Sequence, residues 1–388
     1  MPLASPLPHL IPTPIPAYRR QMDTRAIPAP HGPLLAQGAP DTKHALRLAA
    51  HLWRHPRARF LTLNADHADV LLIRSYGGDN ALARLQSDPL IAGLAQHGQT
   101  TATHAYHPAQ RLTLPRAKTL IIHYDDDASI IRARAYRAAT GARVVCLTSD
   151  IYGFARYRFL DPLVDAFVAP TEMHRAVLQS AVRAPVFVMP EGVDPIAHAP
   201  APPTGADLCW FGYPASFEKS LAHVFNEAES QNAITPANFA FITRKGVTLR
   251  KGYPHIAFVN ATFHAETARF GHTLLSHFAY DGHLNTLIKS PNKLVTSLVR
   301  GLIPLVSDTP AYREIMSRYG LEQLIFTGPR HAADLIAARD APRDRRLYDL
   351  PAIAADLCDQ LRPAALAQIF LDGLAAAMHP PIAPRSPA

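Results

Sequence analysis

The stretch "SPNKLVTSLVRGLIPLVSDTPAYRE", residues 290–314, decides the fold class of this 388-residue chain. Ser290 and Pro291 are typical of the cap and the first position of a helix, apolar residues then recur at helical spacing, and Gly301 ends the helix. The run "LIPLVS" that follows predicts a short buried strand, and the residues from Asp308 to Pro310 predict the start of a second helix. Helix, strand and helix in this order are typical of a parallel sheet covered by helices.

Lys293 lies in the first turn of the predicted helix, where the helix dipole is positive and the first backbone amides lack partners. A cation is unfavourable there unless an anion shares the site. With Ser290 and Asn292 beside it, Lys293 therefore predicts a phosphate-binding helix start. The alternatives are a solvated lysine, an asparagine that faces solvent and a serine that only caps the helix.

Short apolar runs alternate with longer helical stretches along most of the chain. In the first half the strand candidates are "RFLTL", "DVLLIRS", "TLIIHY", "RVVCLTS", "AFVAP" and "VFVMP". In the second half they are "DLCWFG", "FAFIT", "IAFVN", "TLLSHF" and "IPLVS". The stretch "PEGVDPIAHAPAPPTGAD" between the halves is rich in proline and lacks hydrophobic periodicity, so it is the linker candidate.

We therefore predict an α/β protein with two doubly wound, Rossmann-like domains that face each other across a cleft. Residues 1–40 are rich in proline and are expected to be poorly ordered. The first domain is expected over residues 41–195 and the second over residues 196–345. Residues 346–388 are expected to form C-terminal helices and a proline-rich tail.

The formal charge of +8 and the isoelectric point near 9.5 predict an anionic partner. The scattered arginines lack the aromatic interleaving of a nucleic-acid binder, so nucleic acid is less favoured than a phosphorylated substrate or an anionic membrane surface. The three cysteines form no Cys-x-x-Cys pair, and no histidine pair has metal-ligand spacing, so we expect neither disulfides nor a metal.

No apolar run approaches the roughly 18 to 20 residues of a membrane span, and the N-terminus lacks a signal-peptide pattern. We therefore expect a cytoplasmic protein that associates peripherally with the inner face of a membrane.

Ligands of such sheets bind at the carboxyl ends of the strands. In the first half this rule selects Gly77, Gly78, Tyr124 and Asp150. The glycine pair lets a substrate approach the backbone, and Asp150 can deprotonate an acceptor hydroxyl; a simple turn and a capping aspartate are the alternatives. Glu191, beside the predicted hinge glycine, either contacts a donor sugar or braces the turn between the domains.

The order of these segments resembles a GT-B glycosyltransferase, of the kind that builds bacterial surface polysaccharides. The resemblance covers roughly Asp69 to Arg339, and it is carried by the two doubly wound halves, by "VFVMPEGVD" at the crossing point and by the motif from Lys289 to Glu314. It implies that the second domain binds a nucleotide-sugar and that the first binds a carbohydrate or lipid-linked acceptor. It implies neither a metal nor a further cofactor.

On the residues of this chain, the resemblance places the donor beside a set of glycine, polar and charged side chains in the second half: Gly212, Lys219, Lys245, Ser290, Asn292, Lys293, Thr296 and Glu314. For Lys219 an ordinary surface ion pair is the alternative.

Two departures from the family pattern are visible. Members often carry two glutamates with seven residues between them, and these positions are Ile288 and Thr296 here; the arginine that often follows the first glycine of the donor domain is Tyr213. These two departures leave open the alternative that the chain is a GT-B-like binding or scaffold protein without catalysis. A nucleotide-sugar epimerase of the same fold is a further alternative.

Overall fold

The computed structural model of the protein describes residues 61–74, 80–105, 112–123, 127–149, 154–194, 207–259, 262–277 and 284–378. These residues form two parallel six-stranded sheets with helices between the strands. The predicted α/β class and the two doubly wound halves are confirmed. The proline-rich residues 1–40, most of the predicted linker and the tail from residue 379 lie outside the described residues.

The first sheet has the strand order β2-β1-β3-β4-β5-β6. Its strands are β1 (Leu61–Arg74), β2 (Thr101–Ala105), β3 (Leu112–His123), β4 (Arg143–Leu147), β5 (Ala166–Ala169) and β6 (Val186–Val188). The helices between them are α1 (Asp88–Gln96), which follows a π-helical turn (Ala83–Ser87), α2 (Asp127–Thr140), α3 (Phe154–Leu160) and α4 (Glu172–Gln179).

The structure corrects two predictions in this sheet. The candidates "RFLTL" and "DVLLIRS" belong to one long strand, β1, whose pairing with β3 is interrupted by a bulge between Leu63 and His67. A bulge adds polar residues without ending the ladder, so the pattern of two apolar runs suggested two strands. The sequence pattern also missed β2, an edge strand whose residues are all at least partly exposed.

The second sheet has the strand order β12-β11-β10-β7-β8-β9. Its strands are β7 (Leu208–Phe211), β8 (Phe239–Thr243), β9 (His255–Ala257), β10 (His272–Leu275), β11 (Ile303–Ser307) and β12 (Ile325–Phe326). Five of these match the predicted runs; β12, with two residues, is too short to be recognised by periodicity.

Helices connect the strands of the second sheet and also follow its last strand. They are α5 (Pro214–Ser216), which runs into a π-helical turn (Phe217–Leu221), α6 (Ala222–Ser230), α7 (Phe263–Thr267), α8 (Leu284–Leu287), α9 (Asn292–Val299), α10 (Pro310–Arg318), α11 (Pro329–Ala338) and α12 (Ala341–Leu347). As predicted, Thr309 caps α10: its hydroxyl accepts a hydrogen bond from the Tyr312 amide at 3.4 Å.

Two helices complete the described chain, α13 (Leu350–Gln360) and α14 (Pro363–Met378). Close packing of α14 against the first sheet is visible at Gly373, where a Cβ atom added to the glycine would lie 2.3 Å from the Phe187 ring of β6. The chain therefore returns from the second sheet to the first. No single described helix is long and apolar enough to cross a membrane, although α13 and α14, bent by 47°, meet the length and composition criteria as a pair.

Ile288 shows how closely the two halves are joined. It is fully buried, and it belongs to the apolar cluster whose other members come from the first sheet and its helices. This is the position where the resemblance expects a glutamate. A carboxylate there would lose its hydration inside an apolar cluster, so an apolar side chain is the favourable choice.

Candidate functional site

The second sheet reverses its winding direction between β7 and β10. From β7 the chain winds outward to β8 and β9, and then returns to place β10 on the other side of β7. Ligands of doubly wound sheets bind at the carboxyl ends of the strands at such a reversal. In this chain Gly212 follows β7, and Ser276 and His277 follow β10.

Lys293, the second residue of α9, reaches this edge. Its Nζ lies 5.3 Å from the centroid of the buried Trp210 ring, and 2.7 Å from the position that a Cβ would occupy at Gly212. The same Cβ would lie 2.8 Å from the Trp210 ring. Gly212 therefore leaves the space that the ammonium occupies, and the structure brings these two predicted residues together.

The electrostatic surroundings of Lys293 are unfavourable for a cation. Burial lowers the pKa of Lys293 from 10.5 to about 7, and repulsion from Lys289 adds to the effect. Lys293 also lies at the positive end of the α9 dipole, which disfavours a cation there. A phosphate would supply the opposite charge that this ammonium and the first amides of α9 lack.

The prediction that Ser290 caps this helix is wrong. The helix begins at Asn292, Pro291 occupies the cap position, and no side chain caps it. Ser290 is buried, and its hydroxyl donates a hydrogen bond to the buried carboxylate of Glu191 instead. This hydrogen bond joins the start of α9 in the second half to the end of the first half.

Glu191 belongs to a wider set of contacts where the chain leaves the first sheet. The Gly192 amide donates to the Leu85 carbonyl at 2.5 Å, and Asp194 forms an ion pair with Arg84. These contacts support bracing by Glu191, one of its two predicted roles. A sugar contact by the same side chain stays a prediction.

The other predicted donor residues spread along the same edge. Asn292 and Thr296 lie on α9, one turn apart on the side of Lys293. Lys219 and Lys245 are exposed, in the π-helical turn after Gly212 and in the turn after β8. Their roles in binding stay predictions.

Glu314 lies on α10 with a side chain that is 59% exposed, and Arg318 approaches it to 3.7 Å. This surface ion pair accounts for its position without a ligand. Its donor role also stays a prediction.

Two residues at this edge were not selected from the sequence. His277 follows β10, where its amide donates to the Ser307 hydroxyl at 2.8 Å, and its ring centroid lies 5.3 Å from that of Tyr312. A histidine directly after an apolar run was the available signal, but twenty histidines are scattered along the chain and this one did not stand out.

A buried polar network lies at the carboxyl ends of the strands in the first sheet. The His123 ring hydrogen bonds the Gln86 side-chain oxygen at 2.7 Å, and the side-chain nitrogen of Gln86 donates to the Thr148 carbonyl at 3.0 Å. The Thr148 hydroxyl lies 3.2 Å from His174 Nε2. Burial lowers the pKa of His123 to about 4, so it is neutral and suited to positioning rather than to proton transfer near pH 7.

The predicted residues Gly77, Gly78, Tyr124 and Asp150 lie outside the described residues. Their roles in acceptor binding and catalysis stay predictions. Within the described ranges, no three histidine, cysteine, aspartate or glutamate side chains are grouped so that they could hold a metal ion.

The arrangement of the two sheets matches solved structures. HepE of Anabaena, in complex with UDP, aligns over 80% of this chain and 100% of its own, with a TM-score of 0.57 and 10% identity. The lipopolysaccharide outer core galactosyltransferase WaaB, in its apo form, aligns over 79% of this chain and 99% of its own, with a TM-score of 0.54 and 10% identity. The chain has the GT-B fold.

A mutant of the Thermobaculum terrenum O-GlcNAc transferase is also similar, with a TM-score of 0.50, 12% identity, and coverage of 88% of this chain and 76% of its own. No family model and no curated protein sequence matches the chain. At these identities the structural matches concern the fold. Within the GT-B fold, Gly212 and Lys293 lie at the carboxyl edge of the second sheet, which the resemblance assigned to the donor.

Proposed function

We propose that this GT-B protein is a glycosyltransferase, of the hexosyltransferase type, that transfers a sugar from a nucleotide-sugar to a carbohydrate or lipid-linked acceptor. The expected context is polysaccharide or glycoconjugate biosynthesis. The observation that carries the proposal is Lys293, a half-buried lysine in the first turn of α9, whose ammonium lies over Gly212 at the reversal point of the second sheet. The UDP bound to HepE, which shares the fold, supports a nucleotide as the anion.

Lys293 and the first amides of α9 would bind the diphosphate of the donor. As the bond between the sugar and the diphosphate breaks, negative charge grows on the departing phosphate oxygens. Groups already oriented toward that charge stabilise the transition state more than the ground state, and this difference accelerates the reaction. We propose that these groups neutralise the leaving group without a metal ion.

The alternative is a GT-B-like binding protein without catalysis. It is favoured by Ile288, which is packed in the apolar cluster of the first sheet where the resemblance expects a glutamate. Such a protein would bind a nucleotide-sugar but would not turn it over. Product analysis separates the two functions, and it also separates transfer from epimerisation, since transfer makes a new linkage and epimerisation alters the sugar.

The test is calorimetric titration of wild type and Lys293→Ala with UDP, GDP, CDP and ADP in one buffer. We expect one nucleotide to bind wild type selectively and the variant to lose at least tenfold in affinity, because a charge-assisted contact contributes roughly 1.5–3 kcal/mol. Lys251→Ala, at an exposed turn, is the matched control. Failure of all four nucleotides to bind at millimolar concentration would reject the proposal.

We further propose that the protein works in the cytoplasm at the inner membrane face, where lipid-linked acceptors are available. The net charge of +8 supports attraction to anionic lipids. Co-sedimentation with vesicles of phosphatidylglycerol should fall as salt rises, and vesicles of phosphatidylcholine are the control. Equal binding to both vesicles would contradict this proposal.

A further inference from the structure

His277 and Tyr312 form a pair in the segments that follow two neighbouring strands, at the carboxyl edge of the second sheet. β10 and β11 are adjacent and parallel, His277 lies two residues after the end of β10, and Tyr312 lies in the first turn of α10, which follows β11. Their ring centroids are 5.3 Å apart. Lys293 and Lys289 act electrostatically on His277, so the pair lies beside the charged part of the site.

Each residue of the pair buries a polar atom that has no hydrogen-bond partner among the described residues. These atoms are His277 Nε2 and the Tyr312 hydroxyl oxygen. The residues are 9% and 0% exposed. Such an atom destabilises the folded protein by roughly 1–3 kcal/mol, so its retention calls for an explanation.

Three other buried or half-buried tyrosines in the described part of the chain have hydrogen-bonded hydroxyls. The Tyr136 hydroxyl donates to the Pro115 carbonyl at 2.7 Å, and the Tyr319 hydroxyl donates to Asp356 at 2.6 Å. The Tyr253 hydroxyl donates to Glu229 at 2.9 Å. Tyr312 differs from them, and it does so at the edge where the donor would bind.

Both side chains of the pair are neutral near pH 7. Burial lowers the pKa of His277 well below 6.5, and repulsion from Lys293 and Lys289 adds to this. Burial raises the pKa of Tyr312 above its ordinary range. A neutral imidazole and a phenol exchange hydrogen bonds with hydroxyl groups, whereas the phosphates have Lys293 and the helix amides as partners.

We propose that His277 and Tyr312 hydrogen bond hydroxyl groups of a ring sugar in the nucleotide-sugar donor, and that they select donors in which these hydroxyls are present. This rests on the proposed function. The sugar is either the ribose or the transferred hexose, and both offer the same chemistry. A site that pairs buried polar groups with substrate hydroxyls rejects deoxy analogues strongly, because the protein atoms are otherwise left unpaired. Since both atoms are shielded from water in this structure, binding requires that the side chains over them move.

The decisive variant is Tyr312→Phe, which removes one oxygen atom and keeps the ring. The ligands are the nucleoside diphosphate that wild type binds among UDP, GDP, CDP and ADP, its 2′-deoxy form, and the corresponding nucleotide-glucose. We expect calorimetry to show binding weakened about 3- to 10-fold for at least one of the ligands that carry the hydroxyl. In the same variant the midpoint of urea denaturation should be unchanged or higher, because no intramolecular hydrogen bond is lost.

Tyr319→Phe is the matched control. It removes a hydroxyl that is bonded to Asp356 on α13, so its urea midpoint should fall while its nucleotide affinity stays that of wild type. His277→Phe, which keeps a ring against Tyr312, should weaken the same ligand as Tyr312→Phe.

The ligands identify the sugar. Weaker binding of the nucleoside diphosphate to Tyr312→Phe, with little change for its 2′-deoxy form, assigns the contact to the ribose. Weaker binding of the nucleotide-glucose alone assigns it to the hexose. If wild type binds a nucleotide and both variants bind every ligand as tightly, the inference is wrong and the proposed function stands. If wild type binds no nucleotide, both are rejected.

Discussion

Replacing Lys293 by methionine should stabilise the protein and remove nucleotide binding at the same time. Methionine has a similar length and no charge, so it can keep the contact with the Trp210 ring, which lies 5.3 Å from the ammonium. The lysine, by contrast, is half-buried, and desolvation together with repulsion from Lys289 lowers its pKa from 10.5 to about 7. The charge that the proposed function needs is therefore one that the free protein holds unfavourably.

The pKa difference fixes the sign and the size of the effect. Between pH 7 and pH 10.5 the unfolded chain holds more protons on Lys293 than the folded protein, so the stability of wild type rises with pH across this window. At about 1.4 kcal/mol for each pKa unit, the ammonium destabilises the folded protein by about 5 kcal/mol at pH 6 and about 2 kcal/mol at pH 9. Attraction to the Trp210 ring, roughly 1–2 kcal/mol, reduces these values without changing their sign.

The assay is urea denaturation of wild type and Lys293→Met at pH 6, 7.5 and 9, followed by tryptophan fluorescence. We expect the variant to be more stable at pH 6, with an advantage that shrinks by about 3 kcal/mol between pH 6 and pH 9. Lys251→Met changes an exposed turn lysine and should show no such pH dependence. A variant that is less stable than wild type at pH 6, or a difference that does not change with pH, would refute the reasoning.

Two further substitutions test the packing of the site. Gly212→Ala should destabilise the protein by about 1–3 kcal/mol and weaken nucleotide binding, because the new methyl group would lie 2.7 Å from the Lys293 ammonium and 2.8 Å from the buried Trp210 ring. If the variant keeps the urea midpoint and the nucleotide affinity of wild type, this edge of the sheet is loosely packed. Ile288→Glu should destabilise by more than about 3 kcal/mol because it buries a carboxylate in the apolar cluster of the first sheet, whereas Ile288→Val should lose only about 1 kcal/mol. Equal urea midpoints for these two variants would contradict the placement of Ile288.

Most of the fold follows from local patterns. The runs that form β7, β8, β10 and β11 are short, apolar and bounded by turn residues, and the cap at Thr309 is specified by its own neighbours. The misses have physical causes: β2 is an exposed edge strand, β12 has two residues, and the bulge in β1 divides one strand into two apolar runs.

The candidate site was predicted in part. Lys293 and Gly212 could be selected because a cation in the first helical turn and a glycine after a strand both carry meaning by position. His277 could not be selected, because its burial against the Tyr312 ring is visible only in the folded chain.

The sequence by itself determined the alternation of strands and helices and the place of Lys293 in the first turn of α9, because periodicity and helix polarity are properties of neighbouring residues. Only the tertiary structure decided the partners of the side chains. The Ser290 hydroxyl donates to Glu191, a residue 99 positions away, and α9 begins one residue later than the cap pattern predicts. Ile288 lies in the apolar cluster of the first half, and the Tyr312 hydroxyl has no hydrogen-bond partner among the described residues. Such outcomes depend on which distant atoms compete for each group, and this competition exists only once the chain is folded.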